Sequence, residues 1–214
     1  KVIKQRNKLL KDFNERQYFD NISLDVYDDQ LIKIGSYIYD KRQDHINLIT
    51  PQFREFYKNI SGGTEQVNIK YLSDLQTEEY RILLQNSLEK DRKTLYTNVG
   101  IHKDDIVFEM NSNPIKKFGS QGQQKSFLIA LKLAKFYFLQ SKIGFKPILL
   151  LDDIFDKLDE KRVQSILSYA KNGDFGQVFI TDTNEKRTKN ILSSSKIQYK
   201  IFKLDNGKLI NEQI

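Results

Sequence analysis

The sequence contains no cysteine and no tryptophan, and only three of its 214 residues are proline. Without cysteine, disulfide bonds and thiolate metal sites are excluded, and residence inside the cell is favoured. No apolar run approaches the roughly 20 residues of a membrane-spanning helix, and no signal-peptide pattern opens the chain. We therefore expect a cytoplasmic protein with no membrane association.

Positive charge is in excess. Lysine and arginine number 35 and the acidic residues 28, so the net charge is +7. This charge permits nucleic-acid binding, but it is spread over many isolated lysines. Charge alone therefore leaves DNA, RNA and ordinary surface basicity open.

The first 60 residues carry helical periodicity. Apolar side chains recur there at mostly alternating three- and four-residue steps: Leu24, Tyr27, Leu31, Ile34, Ile38, Ile46, Ile49, Phe53, Phe56 and Ile60. This spacing predicts a seam along long helices, in a hairpin or arm. Asn21 and Ser23 are the candidate N-caps, and Thr50-Pro51 predicts either a kink or a new helix capped by Thr50.

The pattern of predicted secondary structure changes after this arm. An alternating strand is predicted at 67–72 and a helix at 77–92, and from residue 94 onward strands alternate with helices in the manner of an α/β unit. We therefore predict two parts, a mainly helical arm over 1–95 and an α/β part over 96–214. The boundary between them is soft, between about 60 and 95.

A glycine- and glutamine-rich turn opens the long helix of the α/β part. Ser120 and Gln123 have the spacing of a capping box, and the following residues are apolar almost all round, which predicts a largely buried helix. Gly119 and Gly122 would let backbone N–H groups approach an anion at the positive end of the helix dipole. A plain capped core helix and an anion site are compatible interpretations of this turn.

Two adjacent carboxylates follow an unbroken apolar run. The run 148–151 is typical of an inner strand of a covered parallel sheet, and Asp152 and Asp153 stand at its carboxyl end, where open α/β sheets bind ligands. Such a pair favours a cation or a polarised water. His102 lies beside Asp104 and Asp105, but a turn hydrogen bond is the favoured interpretation there rather than a metal.

Other segments fit the same α/β part. Asp159 is predicted to cap a helix over 160–170, and 177–180 is predicted as another buried strand that ends near Thr181 and Thr183. A hairpin is predicted at Asp205-Asn206-Gly207. No G-x-x-x-x-G-K-[ST] phosphate loop occurs in the sequence, and Lys1 already stands in helix-like sequence. We therefore expect the chain to be a piece of a longer protein.

Several segments together resemble the RecF family, whose members are recombination-mediator ATPases related to the SMC and ABC-type heads. The resemblance is carried by the following motifs: Lys4-Gln5-Arg6-Asn7-x-Leu9-Leu10, Lys90-Asp91 with Thr97, Gly100-Ile101-His102-Lys103-Asp104-Asp105, Gly119-Ser120-Gln121-Gly122-Gln123-Gln124-Lys125, and Leu149-Leu150-Leu151-Asp152-Asp153 with Leu158-Asp159. Positions 101 and 103 depart from the family, which more often has proline and arginine there. The resemblance implies an α/β fold, the second lobe of an ABC-type ATPase head, with an α-helical arm.

The resemblance also implies roles for site residues. Ser120 and Gly122 would bind the γ-phosphate of a nucleotide held by the opposite protomer, with Gln121 and Gln123 shaping that loop. A second set would serve the same site: Asp152 would hold Mg²⁺ through water, Asp153 would activate the attacking water, and Asp159 would be the D-loop residue. Thr181 and Thr183 stand where ABC proteins place a switch histidine.

The implied function is that of a DNA-repair ATPase which forms an ATP-dependent homodimeric clamp on DNA, at gaps or junctions, with RecR and RecO as partners. This chain alone is expected to bind and hydrolyse ATP poorly, since it has no phosphate loop. Another SMC- or ABC-like DNA-associated ATPase head and a non-enzymatic helical adaptor are the alternatives.

Overall fold

The computed structural model describes residues 1–152, 158–171, 175–195 and 198–213. The helices are α1 (Val2–Glu15), α2 (Asn21–Ser61), α3 (Tyr80–Thr94), α4 (Ile115–Phe118), α5 (Gln121–Ile143), α6 (Glu160–Lys171) and α7 (Glu185–Ser195). The strands are β1 (Val67–Leu72), β2 (Asp105–Met110), β3 (Asn113–Pro114), β4 (Ile148–Asp152), β5 (Gln177–Thr181), β6 (Ile201–Asp205) and β7 (Lys208–Gln213). Across these ranges, every helix is too short or too polar to cross a membrane.

The chain divides into two compact units. Unit 1 comprises Lys1–Thr50 and Asn68–Glu109, and unit 2 comprises Pro51–Val67 and Met110–Ile214. The domain ranges predicted above follow composition, whereas these units follow packing. Helix α2 contributes residues to both.

The core of unit 1 is built around Tyr80 on α3. This ring packs with Leu31 and Leu84, and all three side chains are buried. Two glycines make room for it, because a Cβ on Gly35 would lie 2.5 Å from the ring and one on Gly100 would lie 2.0 Å from its hydroxyl oxygen. Gly100 also has a φ of +112°, a conformation that side chains with a Cβ rarely adopt.

Helix α2 begins differently from the prediction, and at Pro51 only one of the two predicted alternatives is excluded. The predicted N-caps are wrong, because Asp20 accepts hydrogen bonds from the Ile22 N–H at 2.9 Å and from the Ser23 hydroxyl at 2.5 Å. The helix also runs through Pro51 without a new start. The hydroxyl of Thr50 bonds to the carbonyl of Ile46 at 2.6 Å, within the helix, instead of capping it.

Aromatic side chains form the core of unit 2 around α5. The Phe127 ring lies 4.6 Å from Phe53 and 6.0 Å from Tyr57, centroid to centroid. One turn further along α2, Phe56 lies 5.1 Å from Tyr137. Tilted and edge-on aromatic pairs of this kind bury large areas and add specific geometry. The carboxyl-terminal third of α2 is therefore part of the core that carries α5.

The parallel pair β4 and β5 corrects a second prediction. The two strands run parallel with Leu150 opposite Phe179 and Asp152 opposite Thr181. β4 is not covered on both faces, since Leu149 and Leu151 are buried while Ile148 and Leu150 are 59% and 66% exposed. β5 was predicted to be buried, yet Phe179 is exposed too. In the part of the chain that the structure describes, no element covers that face.

The predicted hairpin near the end of the chain is confirmed. β6 and β7 pair antiparallel across Asn206-Gly207, and both turn residues have positive φ, at 47° and 75°. Asn-Gly favours this geometry because both residue types tolerate the left-handed region.

Candidate nucleotide-binding site

The predicted capping box at the start of α5 is confirmed. The Ser120 hydroxyl oxygen accepts the Gln123 N–H at 3.3 Å, and the Gln123 side-chain oxygen accepts the Ser120 N–H at 2.7 Å. These reciprocal bonds fix the first turn of a 23-residue helix. Gly119 is needed just before it, because a Cβ there would lie 2.8 Å from the Ile115 carbonyl oxygen.

Two backbone donors of this turn are available for further hydrogen bonds. Among the described residues, the backbone N–H groups of Gln121 and Gly122 have no hydrogen-bond acceptor, as expected at a helix start. Ser120 and Gln121 are exposed, so solvent reaches the same turn. Free N–H groups at the positive end of a long helix suit a phosphate oxygen.

Glu65 completes the support of Gln123. Its carboxylate accepts the Gln123 side-chain amide at 2.6 Å, and its other oxygen accepts the Tyr57 hydroxyl at 2.6 Å. Burial and the bond to Glu65 raise the pKa of Tyr57 well above its ordinary value, so this hydroxyl remains a donor. Sequence reasoning missed Glu65, because 58 residues separate it from Gln123.

Arg162 joins the α5 turn to the start of α6. Its guanidinium donates to the Ser126 hydroxyl at 3.0 Å, and Ser126 in turn donates to the Gly122 carbonyl at 2.8 Å. The same guanidinium lies 3.3 Å from an Asp159 carboxylate oxygen. Asp159 also accepts the Arg162 N–H at 2.9 Å, which confirms the predicted cap of α6. Arg162 was missed because its partner Ser126 lies far away in the sequence.

Asp152 and Thr181 meet where the parallel strands end. They are opposite in register, and the Thr181 hydroxyl donates to one Asp152 carboxylate oxygen. The sequence predicted both positions but not this contact. Among the described residues, Thr183 forms no hydrogen bond to Asp152. Its backbone N–H donates to Asp182 at 2.8 Å, and its side chain is exposed. Asp153, the predicted catalytic carboxylate, lies outside the described residues.

Asp182 is a further carboxylate at this strand end, and only 3% of its side chain is exposed. It accepts hydrogen bonds from Arg187 and from the Thr188 hydroxyl, both at 2.6 Å. Burial raises the pKa of Asp182, but the bonds from Arg187 and Thr188 outweigh that effect, so the pKa lies below its ordinary value. It therefore stays charged and anchors the start of α7.

The ligands available for a metal ion are few among the described residues. They contain no cluster of three or more histidine and carboxylate ligands. Asp152 is exposed and keeps one carboxylate oxygen beyond the one that Thr181 contacts. Mg²⁺ commonly binds through one or two carboxylates plus waters and phosphates, so this sparse arrangement fits that ion. The nitrogen of His102 lies 3.0 Å from the Thr97 carbonyl, consistent with the predicted turn hydrogen bond.

The remaining motif residues meet in unit 1. The Arg6 guanidinium donates to Asp91 at 2.6 Å and to Thr97 at 3.0 Å, and its Nε donates to Asp28 at 2.5 Å. Asn7 accepts both the N–H and the hydroxyl of Thr97. These residues are far apart in sequence but form one buried network, so they tie α1 and α2 to α3.

Comparison with known proteins now decides the family. A curated relative from Flavobacterium johnsoniae, a DNA replication and repair protein RecF, is 52% identical over 204 residues, which are 95% of this chain and 57% of the relative. The chain belongs to the RecF family. RecF of Parabacteroides distasonis is 43% identical over 98% of the chain. The chain spans just over half the length of these relatives. No protein-family model matches it.

Solved structures agree with the family. The recombination mediator RecF with ATP superposes with a TM-score of 0.76 and 26% identity, over the whole of this chain and 56% of that one. A second RecF structure, in the ATPrS form, superposes with a TM-score of 0.73 and 27% sequence identity. The match covers 97% of this chain and 55% of that one. An SMC ATPase superposes with a TM-score of 0.50 and 13% sequence identity, over 80% of this chain and 87% of that one. This likeness shows the fold alone. The predicted α/β head fold is confirmed.

Proposed function

We propose that this chain supplies the partner-facing loop and the metal-binding strand end of an ATP-dependent homodimer that holds DNA. The observation that carries the proposal is the α5 turn. It is fixed by its capping box, and two of its N–H groups, at the positive end of the helix, have no acceptor among the described residues. The RecF relatives are DNA replication and repair proteins, and one of the matching RecF structures contains ATP.

Each site residue has a role in this proposal. Ser120 and Gly122 bind the γ-phosphate of the nucleotide on the opposite protomer, while Gln121 and Gln123 shape the turn. At the strand end, Asp152 holds Mg²⁺ through water, Thr181 orients that carboxylate, and Asp153 activates the attacking water. The metal, when bound, neutralises charge on the phosphates.

In this proposal, Asp159 transmits the state of one protomer's site to the other protomer of the dimer. It caps α6 and contacts Arg162, which contacts Ser126 below the phosphate-binding turn. A movement of the α6 start therefore changes the support of α5. Among the described residues, Thr183 forms no hydrogen bond to Asp152, and its proposed role is to sense the nucleotide through its hydroxyl. RecR and RecO are the proposed protein partners.

The dimer is a two-state element. Because the nucleotide on one protomer is completed by the turn of the other, ATP stabilises only the closed pair, and hydrolysis releases it. DNA enclosed by the pair is held through phosphate contacts, so its affinity falls with salt and depends little on sequence.

The test uses a full-length RecF-family protein that carries this chain. Its mass in solution is measured without nucleotide, with ADP and with ATP, for the wild type, Ser120→Arg and the control Ser193→Arg. We expect dimers with ATP only. They should be lost in Ser120→Arg because the arginine fills the turn, and kept in the control because Ser193 is an exposed residue of α7. ATP-independent mass in all three proteins would exclude the clamp.

A further inference from the structure

A cleft of about 580 Å³ lies in unit 1, where the end of α1 approaches α3. Three aromatic side chains line it, Phe13, Tyr18 and Phe19, together with the cations Arg92 and Lys93. The Arg92 guanidinium lies 4.2 Å from the centroid of the Phe19 ring. One lining residue, Glu89, is acidic. The cleft thus combines aromatic side chains with positive charge.

Tyr18 is held at this cleft by the turn that ends α1. Gln17 has a positive φ of 52°, and the Tyr18 N–H bonds to the Phe13 carbonyl at 3.2 Å, as in a Schellman motif. The companion bond runs from the Gln17 N–H to the Asn14 carbonyl at 3.3 Å. The backbone of Tyr18 is fixed, whereas 64% of the residue remains exposed. Because the backbone at Tyr18 is already ordered, binding a ligand to this ring costs little conformational entropy.

A row of lysines on α1 extends the positive charge away from the cleft. Lys4, Lys8 and Lys11 follow at steps of four and three residues, so they share one helix face, and all are exposed. The Lys11 ammonium lies 5.0 Å from the centroid of the exposed Tyr96 ring. Within the described ranges, these three lysines and the two cations of the cleft have no carboxylate at ion-pair distance.

We propose that this basic-aromatic cleft binds single-stranded DNA. Bases stack on Tyr18 at the mouth of the cleft, and phosphates follow Arg92, Lys93 and the lysine row of α1. Single-strand binding sites combine a positive track with aromatic rings on which unstacked bases lie. A duplex keeps its bases stacked on each other, so it would use the cations alone. The inference goes beyond the proposed function, which assigns no residue to DNA contact, and only the choice of DNA over RNA rests on it.

The test measures fluorescence anisotropy of a full-length RecF-family protein that carries this chain, without nucleotide, against labelled oligonucleotides. An oligothymidylate of about 15 nucleotides falls within known single-strand site sizes, and Tyr18→Ala is expected to weaken its binding about tenfold. Tyr18→Trp restores binding, since it restores a ring. An abasic strand of equal length binds the wild type as weakly as the thymidylate binds Tyr18→Ala. Lys8→Glu lowers the slope of log affinity against log salt by about 0.7.

The matched control is Tyr37→Ala. Tyr37 is 63% exposed, carries Lys41 with its ammonium 5.7 Å from the ring centroid, and lies in the same unit but away from the cleft. Its removal leaves the affinity unchanged. Equal affinity for the thymidylate and the abasic strand, or wild-type binding by Tyr18→Ala, overturns the proposal. Equal binding of oligouridylate, still lost in Tyr18→Ala, supports the cleft and places the failure in the proposed DNA function instead.

Discussion

Replacing Arg6 by alanine tests what holds unit 1 together. The Arg6 guanidinium contacts Asp91, Asp28 and Thr97, and the side chains of Arg6 and Asp91 have no exposed surface. The change removes the only cation that the described residues place at ion-pair distance from Asp91. A buried carboxylate without its counter-charge is costly, because it has given up hydration.

The expected loss is about 3 kcal/mol of unfolding free energy, at the lower end of the range for breaking a buried pair. Asp91 keeps other donors, namely the Asn98 N–H at 2.9 Å, the Asn98 side-chain amide at 2.8 Å and the Ser87 hydroxyl at 3.3 Å. Asp28 is 14% exposed and can recover some water. These contacts soften the loss without replacing the cation.

The measurement is urea denaturation followed by circular dichroism. Arg81→Ala is the matched control, because it removes an arginine from an aspartate pair in the same unit. That pair, Arg81 with Asp29, is more than half exposed on both sides, so we expect no measurable change. A similar, small effect of both substitutions would refute the assigned importance of the buried network.

The pH dependence gives a second signature. Burial raises the pKa of Asp28 above its ordinary value, against the opposing hydrogen bond from Arg6. Without Arg6 the folded-state pKa rises further, so the folded variant binds protons more tightly than its unfolded form. The stability of the variant relative to wild type is then largest below about pH 4, the ordinary aspartate pKa. It falls as the pH rises through the folded-state pKa of Asp28. The gap to wild type should therefore be wider at neutral pH than at pH 4, and an equal gap at both would contradict the reasoning.

Two further predictions concern a glycine and a strand end. Gly100→Ala should lower the melting temperature more than Gly207→Ala, as parallel thermal scans would show. Both glycines have positive φ, but only at Gly100 is the space that a Cβ would need already occupied, by Tyr80. Equal losses would assign the effect to the backbone alone. Asp182→Asn should remove part of the acid sensitivity of folding. Since the folded-state pKa of Asp182 is lowered, its contribution is present above the ordinary aspartate pKa and lost as the pH falls through the lowered value. Acid titration of the variant and the wild type checks this, and superimposable curves would contradict it.

Local signals in the sequence predicted local structure well. The capping box at Ser120, the cap at Asp159 and the Asn206-Gly207 hairpin each depend on residues within a few positions of one another. Such patterns act through nearby backbone groups, so they are visible in one sequence.

Exposure and long-range contacts were not predictable in the same way. An apolar run such as β4 does not say what lies against each face, and one face is open in the described residues. Glu65 and Arg162 support the α5 turn from positions far away in the chain. A charged residue in a loop or on a helix surface has no sequence pattern that names its partner.

The fit of Tyr80 between two glycines also constrains the order in which this core can evolve. Alanine at Gly35 or Gly100 would collide with the ring or its hydroxyl, so neither glycine can change first without cost. A smaller residue at position 80 would have to come first, and it would leave a cavity. Even then only Gly35 is released, because the positive φ of Gly100 still favours glycine. The three positions are expected to change as a linked set, with Gly100 the last to vary.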